Sequence, residues 1–485
     1  LRRVRSRWFS IGLIVAAPVF LGQAPSEGMD AGVGTRTTEV LRLSLEESLR
    51  LGLANNPLLR AAEAKVRASQ GKQISARANF FPKLTASGAL VRSNTLTEFK
   101  IGAPTMLDTS FPVANSQGDP VPPDHIHKYP TAGFEMSNTR EGNIYNAKLE
   151  AQMPLFTGGR VVNGYQAARL ETRAQEEDLR RMELDTVFQV KQAFYGVLLA
   201  RAMVEVVDKS FATMEAHYKR VQDLYRQGMV SNLDLLQVEA QLSSIRPQQI
   251  QVHNGLELSK VRLLAVLNLD LETPADIEGE LAYAPAPVEE IPALKHAAAL
   301  ARPELKGLEL RYEQADRLKK IARAGYLPTV GAFANYQWNR GQELPPNDTI
   351  WRDGWQAGLS FSMPLFDGLA TRGEMKNAQG LKDQIEMNQA ALKAGIEAEV
   401  TAAALTLGAA EERIAATEKS VQAAEKNYKV AEDRYSVGLV NHLDVLDAEV
   451  LLTRAQADYL LAVHDYLLAQ ASLEKAIGRM EEVAP

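Results

Sequence analysis

The sequence predicts a mainly α-helical chain that also carries transmembrane β-strands, laid out as a duplicated unit of helices, two strands and a long helical hairpin. Three observations predict it. The stretch YRQGMVSNLDLL at 225–236 returns as YSVGLVNHLDVL at 435–446, identical at Tyr225/Tyr435, Gly228/Gly438, Val230/Val440, Leu233/Leu443, Asp234/Asp444 and Leu236/Leu446. Residues 157–226 contain no proline, and Leu184, Val187, Val190, Phe194, Val197, Val204, Val207 and Phe211 recur at steps of three or four or their sums, as on one helix face. Four stretches of about ten residues alternate apolar and polar side chains, the pattern of strands with one face toward lipid.

The repeat extends beyond the turn. FFPKL at 80–84 is echoed by YLPTV at 326–330 and NPLL at 56–59 by RPEL at 302–305, both at an offset of 246 residues. MPLF at 153–156 recurs unchanged at 363–366, an offset of 210. The drop of 36 between Pro82 and Pro154 places one insertion, roughly 93–141, between two strands of the first unit, where it reads as an enlarged loop.

Taken in order, LRRVRSRWFS sets Arg2, Arg3, Arg5 and Arg7 before the apolar IGLIVAAPVFLG and the small and polar QAPSEG, which reads as a cleaved secretory signal over 1–24. The apolar run is about a dozen residues, short of the roughly 20 that a spanning helix needs. The first repeat covers 41–268, with strands at about 82–92 and 143–154 and helices at about 158–226 and 231–268. Its opening helix has Ser44 and Glu47 at capping-box spacing and stops before Pro57. A linker over 269–291 leads to the second repeat, 292–479, with strands at about 328–338 and 354–364 and helices at about 367–436 and 441–478. A helix of about 68 residues is roughly 100 Å long, more than any compact domain needs. In the returning helices Leu235, Leu242, Leu256 and Leu263 share a seven-residue grid with Gln249, and Val445, Leu452, Tyr459, Tyr466 and Leu473 repeat it. That spacing predicts supercoiled helices packed side by side.

The strands follow another period. Tyr145, Ala147, Leu149, Ala151 and Met153 alternate with Asn146, Lys148, Glu150 and Gln152; Trp355, Ala357, Leu359, Phe361 and Met363 alternate with Gln356, Gly358, Ser360 and Ser362. PTVGAFANYQW puts Val330, Ala332, Ala334, Tyr336 and Trp338 on one face, and LTASGALV alternates more weakly. A half-buried strand in a soluble sandwich has the same pattern. Trp338, Trp351 and Trp355, at the loop-side ends of the last two strands, favour lipid, where aromatic side chains form an interfacial girdle. Four strands cannot close a barrel and an open sheet does not survive in lipid, so several chains must share one.

Composition excludes other classes. The formal charge is −6, and about −10 once the four signal arginines are removed, without a basic run interleaved with aromatics, so nucleic acid is not an expected partner. There is no cysteine, hence no disulfide, no cysteine-based metal site and no cysteine-linked lipid. No G-x-S-x-G, phosphate-binding glycine loop or H-E-x-x-H is present and the seven histidines are scattered, so no enzyme and no cofactor are expected.

LSLEESLRLGLANNPLL at 43–59, the paired PLFTG and PLFDG junctions and the paired Y-x-x-G-x-x-x-x-L-D turns together resemble the TolC-like outer-membrane efflux family, over about 41–479. The resemblance implies a homotrimer whose twelve strands form one barrel in outer-membrane lipid, with a long α-helical barrel in the periplasm. It implies a passive exit duct for drugs or other small molecules, docked on a periplasmic adaptor and an inner-membrane transporter and gated at the helical tips. Type I protein secretion and heavy-metal efflux are alternatives within that reading, and a non-channel helical scaffold is the rival outside it.

The candidate site residues cluster at those tips. Gly228 and Gly438 suit the chain reversal, and Ser231 and Asn441 stand where helix caps are needed. Gly228, Val230, Gly438, Leu439 and Val440 are the residues expected to dock an adaptor. Asp444 and Asp447 share a helix face and match the family's acidic constriction, where a ring of carboxylates favours cations; complementing the helix dipole is the alternative. Asp234 and Tyr435 match positions that hydrogen-bond between the two hairpins and hold the mouth shut, with coiled-coil packing as the competing view of Tyr435. Val440 stands where the family has a basic latch partner. His442 is placed to tune the charge of the mouth with pH. In the insertion, Asp124, His125 and His127 form a metal-ligand pattern, but three ligands in a Pro- and Gly-rich loop are more often nothing, and no metal is expected.

Overall fold

The structure, a computed structural model, describes residues 41–93, 96–101, 134–139, 142–285, 289–340 and 350–479. The signal segment and the Asp124, His125 and His127 cluster lie outside the described residues.

Helices dominate. A short strand β1 (Leu41–Leu43) leads into α1 (Leu45–Asn55) and α2 (Pro57–Ala78). The Ser44 hydroxyl accepts the Glu47 backbone N–H at 3.2 Å, but the Glu47 carboxylate turns to Arg50 at 2.6 Å, so only half of the capping box forms. Asn56 ends α1 and caps α2 by accepting from the Leu58 N–H at 2.8 Å, with Pro57 in the first turn, where its missing N–H costs nothing.

Strands β2 (Lys83–Ser93) and β5 (Gly142–Phe156) pair antiparallel. Between them the insertion read as an enlarged loop contains β3 (Leu96–Ile101) and β4 (Phe134–Thr139), which pair with each other antiparallel. Each is only six residues, too short to stand out in sequence, but six residues suffice once two such runs face each other.

From β5 the chain enters α3 (Arg160–Arg226), turns, and returns as α4 (Asn232–Val266); β6 (Ala275–Ile277) then pairs parallel with β1. The second unit follows as α5 (Ile291–Ala301), α6 (Pro303–Arg323), β7 (Thr329–Arg340), β8 (Arg352–Ser362), α7 (Ala370–Ser436) and α8 (His442–Ile477). The long helices α3 and α7 have the same length, 67 residues, or about 100 Å at 1.5 Å per residue. Each packs over its tip half against its returning partner, α4 or α8, and over its strand-side half against α2 or α6. Leu263, Val190, Val197 and Leu43 are fully buried where α3 and α4 meet β1, and Tyr466, Val463, Val400 and Leu407 form the corresponding core of α7 and α8. The units are tied together near that level by Lys191–Glu474 and Lys475–Asp185, each at 2.7 Å.

The four long strands form one antiparallel sheet in the order β2-β5-β7-β8. Its register aligns Leu149 with Tyr336 and Ala86, Ala147 with Trp338, Tyr336 with Trp355 and Ala332 with Leu359, so one face is apolar along its middle, with Arg340 and Asp353 at its loop-side end. That face is bare: Leu84, Trp355, Leu359 and Phe361 are each about 70 % exposed. The other face carries Asn146, Lys148, Glu150, Gln152, Asn335 and Gln356, with Lys148 and Glu150 paired at 2.8 Å. The outer edges of β2 and β8 have no strand partner among the described residues.

Both strand-to-helix junctions turn through left-handed backbone. Gly158 and Gly159 take φ +61° and +85°; the second junction uses Gly368 at +66° and then Leu369 at +71°, a rare conformation for a side-chain-bearing residue. The Asp367 carboxylate holds it by accepting from the N–H groups of Leu369 (3.0 Å) and Thr371 (2.8 Å).

Candidate functional site

The two hairpin tips are built alike. Gly228 and Gly438 both have φ +75° and allow the chain to leave α3 and α7. The next residue, Met229 or Leu439, donates its N–H back to Leu224 or Arg434, each at 2.9 Å, closing the helix end. Ser231 and Asn441 cap the outgoing helices, and both capping boxes are complete. Val230 precedes its cap and packs in one cluster with Leu235, stapling the entry to α4. Val440 holds the same place before α8 but is not part of the corresponding cluster of Ala431, Val445 and Ala448.

This geometry assigns Asp234 and Asp444 a structural duty. Each is the third residue of its helix and accepts from the backbone N–H of its cap, Ser231 at 2.8 Å and Asn441 at 3.1 Å. The Ser231 N–H, then its hydroxyl and the nearby His442 hold the Asp234 carboxyl below its ordinary range. Asp447 makes no cap; it is exposed one turn further along α8, beside a recess of about 310 Å³ lined by Gln237, Ala240, Gln241, Leu443, Leu446 and Val450.

Asp234 and Tyr435 do not bond to each other within one chain. Asp234 lies 3.4 Å from the His442 Nδ1, and its other interactions belong to the cap. The ring of Tyr435, half-buried, packs instead on His217, with centroids 5.3 Å apart, and burial raises its hydroxyl pKa. The expected latch pair is therefore replaced, within one chain, by two contacts that each pass through a histidine.

His442 is buried between the hairpins and also meets the Gln237 Oε1 through Nε2 at 2.8 Å. His217 is buried too, and its pKa is depressed to about 4, chiefly by burial and then by Arg220 and His442. Sequence reasoning missed His217 and Gln237; His217 shares a buried heptad column with Ser210, whereas the column of Gln237 runs through the exposed Ser244, Gln251 and Leu258 and gave no signal. It also missed Met229, the repeat counterpart of Leu439. Both are about 70 % exposed, so each tip ends in a bare apolar side chain.

A family model described as "Outer membrane efflux protein" matches residues 49–269 and 294–479. The probable efflux pump outer membrane protein TtgC of Pseudomonas putida is 25% identical over 449 residues, 90% of this chain and 83% of its own. The alkaline protease secretion protein AprF of Pseudomonas aeruginosa is 23% identical over 372 residues, 73% of each chain. Among solved structures, the outer membrane protein VceC of Vibrio cholerae superposes with a TM-score of 0.71 at 19% identity, covering 90% of this chain and 96% of VceC.

Proposed function

Because the chain belongs to the outer membrane efflux protein family, we propose that it is the outer-membrane exit duct of a tripartite pump, conducting drugs or other small molecules delivered by an inner-membrane transporter through a periplasmic adaptor. The observation that carries this reading is the open four-stranded sheet with one bare apolar face. In lipid each unpaired backbone group at an edge costs several kcal/mol. Three copies of four strands give twelve, and setting β8 of one copy beside β2 of the next keeps every neighbour antiparallel. The polar face then lines the pore and the apolar face meets lipid.

The six hairpin tips of the trimer form the periplasmic mouth. Gly228, Val230, Gly438, Leu439 and Val440 shape the surface offered to the adaptor, with Leu439 and Met229 as its apolar contacts. Asp447, with Asp444 behind it, contributes to an acidic constriction that favours cations. Asp234 and Tyr435 serve the latch through their histidine neighbours. A second reading, export of a secreted protein, has the likeness to AprF in its favour; the same duct serves either cargo, and the inner-membrane partner sets which.

The test is the native mass of the protein extracted in mild detergent from isolated outer membranes. A species of three mature chains is expected. A monomer, or recovery from the soluble periplasm, overturns the shared barrel and restores the helical scaffold.

A further inference from the structure

Buried polar residues mark the joint between the two hairpins of one chain. Ser210 and His217 lie seven apart on α3, Tyr428 and Tyr435 seven apart on α7, and His442 and Glu449 seven apart on α8. Seven-residue spacing stacks each pair on one helix face. They meet as two rungs: Ser210 donates to the Glu449 carboxylate, and one heptad nearer the tip the His217 ring packs on Tyr435 while His442 reaches Gln237 and Asp234. Inside the hairpins apolar contact dominates, with Met214, Val221, Val238 and Ile245 in the first and Ala431, Val445 and Ala448 in the second, the latter flanked by the rings of Tyr428 and Tyr435, which also border the joint. Among the described residues Leu446 is the one buried aliphatic side chain of α8 in the cluster of the first hairpin. Each hairpin thus holds itself together by burial, whereas the two are held to each other largely by directional polar contacts. Such contacts are lost over a small displacement, and the hairpins can separate without unfolding.

We infer that His442 is the clasp of this joint: its ring, bonded to Gln237 and set beside Asp234, positions α8 against α4 and holds the mouth closed. The repeat explains why one residue suffices. His442 corresponds to Asn232, and Gln237 to Asp447, so the duplicated turns differ at the two positions that face each other across the joint. His442 is the first residue of α8, and both its partners stand in the first two turns of α4. A rigid ring, buried at that point, couples the starts of the two returning helices. His442 is a positioning residue, since nothing places it in contact with cargo.

This inference rests on the duct reading, and two measurements separate their failures. In planar bilayers, His442→Phe keeps the ring and removes its nitrogens, and Gln237→Leu removes the acceptor. Each is expected to raise the open probability several-fold, with the double variant no more open than the larger single one, because both remove the same bond. Tyr435→Phe, which keeps the ring packed on His217, is expected to change it far less. Singles that leave the open probability unchanged, or that multiply independently, overturn the clasp.

The second measurement needs no current. The chain has no cysteine, so Leu446→Cys introduces a single thiol buried in the joint. Its maleimide labelling in detergent, normalised to the exposed Met229→Cys, is expected to accelerate several-fold when His442→Phe is added. An unchanged rate overturns the clasp even if the protein conducts. A wild-type protein that passes no current defeats the duct reading, and labelling still decides the clasp.

Discussion

Asp444 and Asp447 stand three residues apart on one helix face in different surroundings. Asp444 accepts from the Asn441 N–H in a capping box, as Asp234 does in the other repeat. Asp447 has no such bond, and its repeat counterpart is the uncharged Gln237. Asp447→Ala is therefore expected to shift the reversal potential toward lower cation selectivity while leaving stability within about 0.5 kcal/mol. An unchanged reversal potential in bilayer recordings overturns the proposed acidic constriction at Asp447. His217 makes a different demand. Its ordinary pKa of 6.5 falls to about 4 in the folded tip because burial, Arg220 and His442 all disfavour the charged ring. A histidine held neutral in this way contributes fully above its unfolded pKa, and that contribution is lost as pH falls from about 6.5 toward 4. Thermal unfolding midpoints measured across that window are expected to fall on acidification, and His217→Phe is expected to flatten the fall.

At the scale of elements the strands and helices answer to different solvents. Ala357 sits near the middle of β8 on the apolar face, next to Gln356 on the polar one. Ala357→Arg puts a charge toward lipid at a cost of about 2–4 kcal/mol at mid-depth, whereas Gln356→Arg faces the pore; yields of folded protein from outer membranes are expected to drop for the first and hold for the second. Alternation of this kind is a property of one segment, which is why the four long strands and the heptad helices were legible from sequence. The seam between hairpins was not. Ser210 and Glu449, or His442 and Gln237, are more than two hundred residues apart, and no single helix's periodicity says which heptad column meets the other hairpin. The motif Ser44…Glu47 shows a second limit: spacing allows a reciprocal box, but the closer Arg50 takes the carboxylate. The pair β3 and β4 fell below the length at which alternation is distinctive.

In the whole molecule as proposed, a trimer, the duplication makes six similar hairpins from three chains, and the two repeats differ where a joint must be told from its neighbour. The turn at 225–236 and its copy at 435–446 share glycine, cap and N-terminal carboxylate, so the backbone is the same in both. The side chains across the joint diverge, Asn232 against His442 and Gln237 against Asp447, so in the proposed trimer a seam within a chain would differ from one between chains. The two bare edges of the sheet carry a further consequence, one for genetics. On the proposed shared barrel, a chain with bare outer edges on β2 and β8 has no finished state of its own, and every barrel is a joint product. In a cell carrying a normal and a defective copy at equal dosage, about one trimer in eight is built wholly from normal chains. A substitution that spares assembly but blocks the mouth is then dominant, while one that prevents the edges from pairing is recessive.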